Sequence, residues 1–382
     1  MVIEHSTATS AASTSELYIG LMSGTSLDGI DGVLADFAGG RMVVTHHASA
    51  PFAPELRAEL LALNTPGSNE LHRAALAGNG LARAYAGVVQ TLLARSGLAP
   101  QAICAIGAHG QTVRHRPQEF DGTGYTLQLN NPALLAECTG IAVVADFRSR
   151  DVAAGGQGAP LVPAFHRGVF GRNGETMLVL NIGGISNLSV LCADGQILGF
   201  DCGPGNALMD YWCQLHTGQA FDAGGAWAAS GQVLHDLLAL LRQEPFLHKA
   251  PPKSTGRDLF NPAWLASRLE GFQACAPQDV QATLTEFTAL ACAADAKRHG
   301  AGAETLAVCG GGALNTQLMA RLQAACPTFQ VIATDALGLP ALQVEAAAFA
   351  WLARQAIKGL PGNLASVTGA AGGRILGALY PA

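Results

Sequence analysis

Residues 17–36 read Leu17-Tyr-Ile-Gly-Leu-Met-Ser-Gly24-Thr25-Ser26-Leu27-Asp28-Gly29-Ile30-Asp31-Gly-Val-Leu-Ala-Asp36. An apolar run, a turn of Gly with Ser and Thr, and a second apolar run together read as a β-hairpin. The pattern returns at Met177-Leu-Val-Leu-Asn181-Ile-Gly183-Gly184-Ile-Ser186-Asn187-Leu-Ser-Val-Leu191. Gly and small polar residues leave the backbone N–H groups of a turn uncovered, so an anion can approach them. Two such hairpins, one in each half of the chain, imply two similar lobes closing on one phosphate-bearing ligand.

Composition sets the frame. A chain of 382 residues corresponds to about two domains. Apolar residues make up 49% and charged residues 13%, enough for a large core. The net charge is −6 with no basic cluster, which argues against nucleic acid as a partner. No run approaches the ~18 consecutive apolar residues of a membrane span. The nine cysteines are scattered singly, several in apolar runs such as those around Cys104, Cys292 and Cys309. They read as reduced core thiols of a cytoplasmic protein. Neither His46-His47 nor His109 and His115 have the ligand spacing of a zinc site. Residues 1–16 are rich in Ser, Thr and Ala and lack a signal-peptide pattern, so a disordered tail is expected there.

Beyond the first hairpin, strands and helices alternate, the pattern of a sheet covered by helices. Helices are expected over 53–63, 70–96 and from Asn131-Pro132 to Glu137, and strands over 102–108, 125–129 and 141–145. The glycine-rich loop 150–160 marks the lobe boundary. After the second hairpin, a strand over 196–200 ends at Asp201. The Cys202-Gly203-Pro-Gly205-Asn206 turn follows, with Asn206 placed to cap a helix over 207–216. A long helix over 279–298, a strand over 305–308 running into Gly310-Gly311-Gly312, an Asn315-capped helix and a last helix over 344–356 complete the chain.

Several groups can carry chemistry. Gly24 to Gly29 has P-loop spacing, but Ile30-Asp31 stands where Lys-Ser/Thr is required, so the Walker reading fails. The repeated hairpin supports a different phosphate cradle. Gly310-Gly311-Gly312, between a strand and a helix, suits either a nucleotide or close helix–strand packing. Asp201, at a strand end where open α/β sheets bind ligands, can accept a proton from a hydroxyl or water, or can simply form a turn. Glu345 on an apolar stripe is either a ligand contact or paired with an arginine. Arg148 and Arg150 beside Asp146 form either an ion pair or a carboxylate clamp. His109-Gly110-Gln111-Thr112 is a substrate loop or only a turn. Lys253-Ser-Thr-Gly256 has the look of a penicillin-recognising K-T-G, but no Ser-x-x-Lys accompanies it.

Taken together, Gly20-Leu-Met-Ser-Gly-Thr-Ser-Leu-Asp-Gly29, Gly110-Gln-Thr112, Asp146-Phe-Arg148, Asp151-Val-Ala-Ala-Gly-Gly-Gln-Gly-Ala-Pro160, Asn181-Ile-Gly-Gly184, Gly199-Phe-Asp-Cys-Gly-Pro-Gly-Asn206, Cys309-Gly-Gly-Gly312 and Gly377-Ala-Leu-Tyr-Pro381 resemble the anhydro-N-acetylmuramic acid kinases from about Leu17 to the end. The resemblance implies an α/β, two-lobed actin/sugar-kinase-like fold. Each lobe would be a mixed five-stranded sheet flanked by helices, with an ATP cleft between them. The lobes are expected at 17–147 and 148–382, with C-terminal residues free to return to the first. ATP and Mg²⁺ are the implied cofactors. The nucleotide would lie against Gly24, Thr25, Ser26, Leu27, Asp28, Gly29, Ile30 and Asp31 of the first hairpin. In the second lobe it would meet Asn181, Gly183, Gly184, Gly203, Gly205, Asn206, Gly310, Gly311 and Gly312. Asp28 or Asp31 would hold the metal. Asp201 matches the general base and Glu345 a sugar-binding carboxylate, with Gln111, Thr112 and Arg148 expected on the muramate. The implied reaction opens the 1,6-anhydro ring of anhydro-N-acetylmuramic acid with water while ATP phosphorylates O6, in cytoplasmic peptidoglycan recycling. The small-molecule partners are that sugar and ATP, with no nucleic acid and no membrane, and the expected assembly is a homodimer. A kinase for another sugar or acid and a non-catalytic nucleotide-switched protein of the actin type are the competing readings.

Overall fold

The computed structural model describes residues 16–24, 27, 29–256 and 259–382. The expected tail up to residue 15 and the turn residues Thr25, Ser26 and Asp28 lie outside the described residues. Thirteen strands occur among those described: β1 (Leu17–Met22), β2 (Gly29–Asp36), β3 (Val43–Pro51), β4 (Ile103–Ala108), β5 (Gln111–Pro117), β6 (Gly124–Leu129), β7 (Val143–Ala145), β8 (Thr176–Ile182), β9 (Ile185–Leu191), β10 (Ile197–Pro204), β11 (Ala303–Cys309), β12 (Gln330–Ala333) and β13 (Ala378–Tyr380).

Both hairpins form. β1 and β2 pair antiparallel up to Met22 opposite Asp31, and β8 and β9 pair antiparallel up to Ile182 opposite Ser186. Each nucleates a mixed sheet. The second has the expected five strands, in the order β10-β9-β8-β11-β12. The first runs β13-β7-β4-β1-β2-β3 and has six, because the chain's end returns as β13 against β7. β5 and β6 form a separate two-stranded arm.

Helices cover the outer faces. The Glu70–Ser96 helix buries Leu81, Tyr85, Val89 and Leu92 against the first sheet. The Pro277–His299 helix, buried along most of its length, packs behind the second sheet with Leu180, Phe200 and Phe287. The Val344–Ile357 helix fills the space between the two sheets. Gly20 and Gly107 are register partners on β1 and β4. A Cβ on them would fall 1.9 Å from the Ala346 carbonyl oxygen and 2.0 Å from that of Phe349. The two glycines thus form a groove in which the helix backbone rests on the sheet, and its alanines (Ala346, Ala347, Ala350 and Ala353) keep the approach close on both sides. This helix packs on β1, β2 and β4, and β13 joins the first sheet, so the C-terminal part of the chain contributes to that sheet and its cover.

Three local expectations need correction. Glu16 does not belong to a loose tail: its carboxylate pairs with Arg354 at 2.8 Å and Lys358 at 2.5 Å. Asn206 gives no side-chain cap; its Nδ2 donates to the Ile182 carbonyl instead. Cys292 and Cys309 are buried, but Cys104 is exposed: it falls at the register shift near the start of β4, between the Leu17–Ile103 and Tyr18–Ala105 pairs.

Candidate active site

Three adjacent strands of the second sheet carry a row of polar side chains. Asn181 on β8 faces Asn187 on β9, and Asn187 faces Asp201 on β10. Residues in one row point to the same side of a sheet. The flanking Phe200 and Cys202 belong to the core behind the sheet, so the row faces the other way. A register shift between Asp201 and Gly203 ends the regular ladder there, a device that re-aims a side chain beside a site. From Asp201 to Asn181 is two strand spacings, roughly 10 Å, with Asn187 between them.

The row ends at Glu345. This residue lies in the first turn of the Val344–Ile357 helix, where the positive helix end favours a carboxylate. Burial and the nearby Asp31 push its carboxyl above the usual range, opposed by Arg148 and a side-chain hydrogen bond from Asn181. Glu345, Arg148, Asn181 and Asp31, drawn from both lobes, therefore meet at one place. The alternative of Glu345 paired with an arginine and that of a ligand contact are thus compatible: Arg148 is near, but its direct partners are others.

Arg148 donates to His109 Nε2 at 3.0 Å from Nη2 and 3.3 Å from Nε, and to the Gly158 carbonyl at 2.7 Å. A guanidinium can only donate, so His109 Nε2 is the bare nitrogen and Nδ1 carries the proton. Nδ1 then donates to the Ser23 carbonyl at 3.3 Å. Burial and Arg148 lower the His109 pKa to about 3, which keeps the ring neutral. Burial also pulls Arg148 down to about 10, with Glu345 and Asp151 acting in the opposite sense. Arg150 is exposed. Asp146 accepts only a turn bond, from Ser149 N at 3.4 Å, and no ion pair links it to either arginine among the described residues. Of the expected clamp, Arg148 alone turns inward.

Gln111 and Thr112 part company, as neighbours on a strand must. Gln111 Nε2 donates to the Gly24 carbonyl at 3.1 Å, so it fastens the first hairpin. Thr112 faces the opposite side of the arm, where its Oγ1 accepts from Gln128 Nε2. The structure does not bring Thr112 together with Gln111.

The glycines of the second lobe interlock. Gly205 N and Ala207 N donate to the Gly184 carbonyl, and Asn206 N donates to that of Gly183 at 2.7 Å. A Cβ on Gly205 would lie 2.2 Å from the Gly183 carbonyl oxygen, and one on Gly312 2.4 Å from the Ile182 side chain. Gly310 has φ +78 and its Cβ position lies 2.4 Å from Asn181 Oδ1. Close packing and an exposed glycine turn are therefore the same feature here. Leu27 and Ile30 of the first hairpin are buried core residues, with Gly29 and Asp31 partly exposed beside them.

Asp201 itself is held from a loop. Its N–H donates to the Lys253 carbonyl at 3.1 Å, and its Oδ2 accepts from Thr255 N at 2.9 Å. Burial raises its pKa to about 6, with the Thr255 amide and the Lys253 charge pulling the other way. A carboxylate poised there can act as a base near neutral pH.

Sequence reasoning overlooked Asn187, Asp151 and the loop that holds Asp201. Asp151 is fully buried and accepts from Gly158 N, Asn363 Nδ2 and Thr368 Oγ1 at 2.6–2.7 Å, which shapes the glycine loop beneath Arg148. Its position at the head of Gly155-Gly156-Gln157-Gly158 was the available signal. Asn187 stood in the quoted hairpin, and only the strand register discloses its place between Asn181 and Asp201.

Comparison with known proteins gives one consistent result. The family profile of anhydro-N-acetylmuramic acid kinase matches residues 16–382. An anhydro-N-acetylmuramic acid kinase of Variovorax paradoxus is 69% identical over 372 residues, 96% of this chain and 99% of that protein. Proteins of the same name from Albidiferax ferrireducens (96% of this chain, all of that protein) and Cupriavidus pinatubonensis (95% and 98%) are 61% and 59% identical. Among solved structures, a ROK family glucokinase from Streptomyces griseus in complex with glucose and AMPPNP covers 89% of this chain and 99% of its own, at 13% identity and a TM-score of 0.40. That likeness is too loose to add to the reading. With a profile match over nearly its whole length and relatives this similar, the chain belongs to the anhydro-N-acetylmuramic acid kinase family of phosphotransferases.

Proposed function

We propose that the protein uses ATP to phosphorylate O6 of 1,6-anhydro-N-acetylmuramic acid as water opens the anhydro bridge, giving N-acetylmuramic acid 6-phosphate and ADP. One observation carries the reading beyond the family's name. Asp201, with a pKa of about 6, shares a row with Asn181, and Asn181 bonds Glu345 beside Arg148. A carboxylate suited to act as a base and a cation–carboxylate cluster thus stand at the two ends of one polar row.

In this reading Asp201 takes a proton from water as its oxygen bonds the anomeric carbon. The C1–O6 bond breaks, and O6 attacks the γ-phosphorus of ATP. Glu345 and Asn181 bind sugar hydroxyls, and Arg148 binds the lactyl carboxylate. The two glycine hairpins hold the phosphates, and the Gly310–Gly312 turn lies by the nucleoside. Mg²⁺ takes phosphate oxygens and water with one or two carboxylates. Asp31, its side chain 46% exposed and close to Glu345, fits that habit, with Asp28 the second candidate. Bound there, the ion would neutralise phosphate charge. The same reading places the lobes at 17–147 and 148–382 around the cleft, and the enzyme in the cytoplasm, recycling peptidoglycan as a homodimer.

The test is ADP release from Mg-ATP with the anhydro sugar, beside N-acetylmuramic acid and glucose. A product with both a reducing end and a phosphate is expected. ADP release with another acceptor but not with the anhydro sugar would discard the substrate and retain a sugar kinase.

A further inference from the structure

The Lys253-Ser-Thr-Gly256 stretch finds no use in the chemistry above, yet it touches Asp201 twice. β10 is an edge strand of the second sheet, so its outer backbone groups need partners. The segment 252–256 has no regular secondary structure and lies along that edge as a strap. The strap takes the Asp201 N–H on the Lys253 carbonyl and returns the Thr255 N–H to Asp201 Oδ2.

Two backbone bonds do not by themselves fix an irregular segment. The pin is the Lys253 side chain. Its Nζ lies 2.7 Å from Asp295 Oδ2 on the Pro277–His299 helix, and both side chains are only 2% exposed. The ammonium also sits 5.2 Å from the Phe246 ring centroid and 5.7 Å from that of Phe200, the residue preceding Asp201. A buried ion pair contributes little net stability over apolar residues of the same shape, so what this one adds is a fixed position for the segment that carries Lys253.

We propose that the strap 252–256, pinned by the buried Lys253–Asp295 pair, positions the Asp201 carboxylate for proton abstraction, with Lys253 a positioning residue rather than a catalytic one. The Thr255 amide occupies Oδ2 and fixes the carboxylate plane, which directs the other oxygen. The inference rests on Asp201 being the general base. The charged and titratable groups around this corner are Lys253 on the strap, Asp295, Arg298 and His299 on the long helix, and the thiols of Cys202 and Cys292.

The test uses the full-length enzyme with Mg-ATP and the anhydro sugar. Lys253→Met/Asp295→Leu removes the pair without leaving a buried charge unpaired. The expected result is a folded protein whose kcat is ~10²-fold lower, as for a group misplaced by about 1 Å, with the ATP KM within about twofold. Wild-type kcat in the folded double variant overturns the proposal. Thr255→Pro deletes the amide donor and leaves the pair intact, so it decides the matter should the double variant fail to fold. There kcat falls, and the acidic limb of kcat/KM moves up by about half a pH unit, because the carboxylate has lost a donor that favours its charged form. An unmoved limb with wild-type kcat overturns the strap's role. Asp201→Asn run in parallel separates the two claims: full activity in that variant removes the base itself, whereas an inactive Asp201→Asn beside normal strap variants removes only the strap.

Discussion

The two glycine hairpins look alike in sequence and are fastened differently. The first is held by side chains from elsewhere. Ser23 Oγ meets Tyr85 OH at 2.9 Å and donates to the Gly110 carbonyl, His109 reaches the Ser23 carbonyl, and Gln111 reaches that of Gly24. The second is held mainly by main chain, through the amides of Gly205, Asn206 and Ala207, with the Asn206 amide side chain on the Ile182 carbonyl and Ser186 Oγ on that of Pro204. None of these groups titrates, so the second hairpin forms a wall continuous with the strand that bears Asp201. The side-chain latch of the first passes through His109 to Arg148, which links the turn at Ser23 to the cluster at Glu345.

That contrast can be broken at four points. The largest effect is expected at the end of the wall. Asp201→Asn should lower kcat by roughly 10³-fold, within the range for losing a general base, with nucleotide affinity unchanged by calorimetry. In the wild type, kcat/KM should fall as pH drops through about 6, because the ionised carboxylate is the active form and burial holds its pKa there. Next, Gly205→Ala forces a methyl to within 2.2 Å of a backbone oxygen that cannot move aside. It should cost about 2–3 kcal/mol in denaturant unfolding, and a neutral result would show the wall to be pliable. His109→Ala should do something different. It strips an acceptor from Arg148 and a donor from Ser23 at once, so the sugar KM and the ATP dissociation constant should both weaken, by about tenfold or 1.4 kcal/mol each. If only one of the two moves, the hairpin and the Glu345 cluster are not linked. The smallest effect belongs to Gln111→Ala, about 1 kcal/mol of stability for one lost hydrogen bond, with kcat nearly intact.

How much of this was legible beforehand varies residue by residue. The hairpins, the Glu70–Ser96 helix, the helix opened by Asn131-Pro132 and the Asn315 cap follow from local pattern and appear as expected. β5 was unreadable, because Gln111-Thr-Val-Arg-His-Arg carries charges on a two-stranded arm exposed to solvent and shows little hydrophobic alternation. Asn206 was misread as a cap because the residue type is right for one; its amide was claimed instead by the Ile182 carbonyl, across a turn that no local rule anticipates. Lys253 drew notice only through a K-T-G likeness that lacked its partner motif; a lysine after two prolines otherwise reads as an exposed loop, and only the packing of Asp295 over it reverses that.

The sequence by itself determined the two hairpins, the alternation of strands and helices, the family, and which acids were unusual, because these depend on neighbours a few residues apart and on long ordered motifs. The tertiary structure decided the rest. It set the Val344–Ile357 helix between the sheets on the Gly20–Gly107 groove and so brought Glu345 to Asn181 and Arg148. It aligned Asp201 with Asn187 and Asn181 through strand register, and it chose the His109 tautomer through Arg148. Each of these joins residues tens to hundreds of positions apart, and the protonation of a carboxylate or an imidazole answers to the burial and charge that such long-range contacts create.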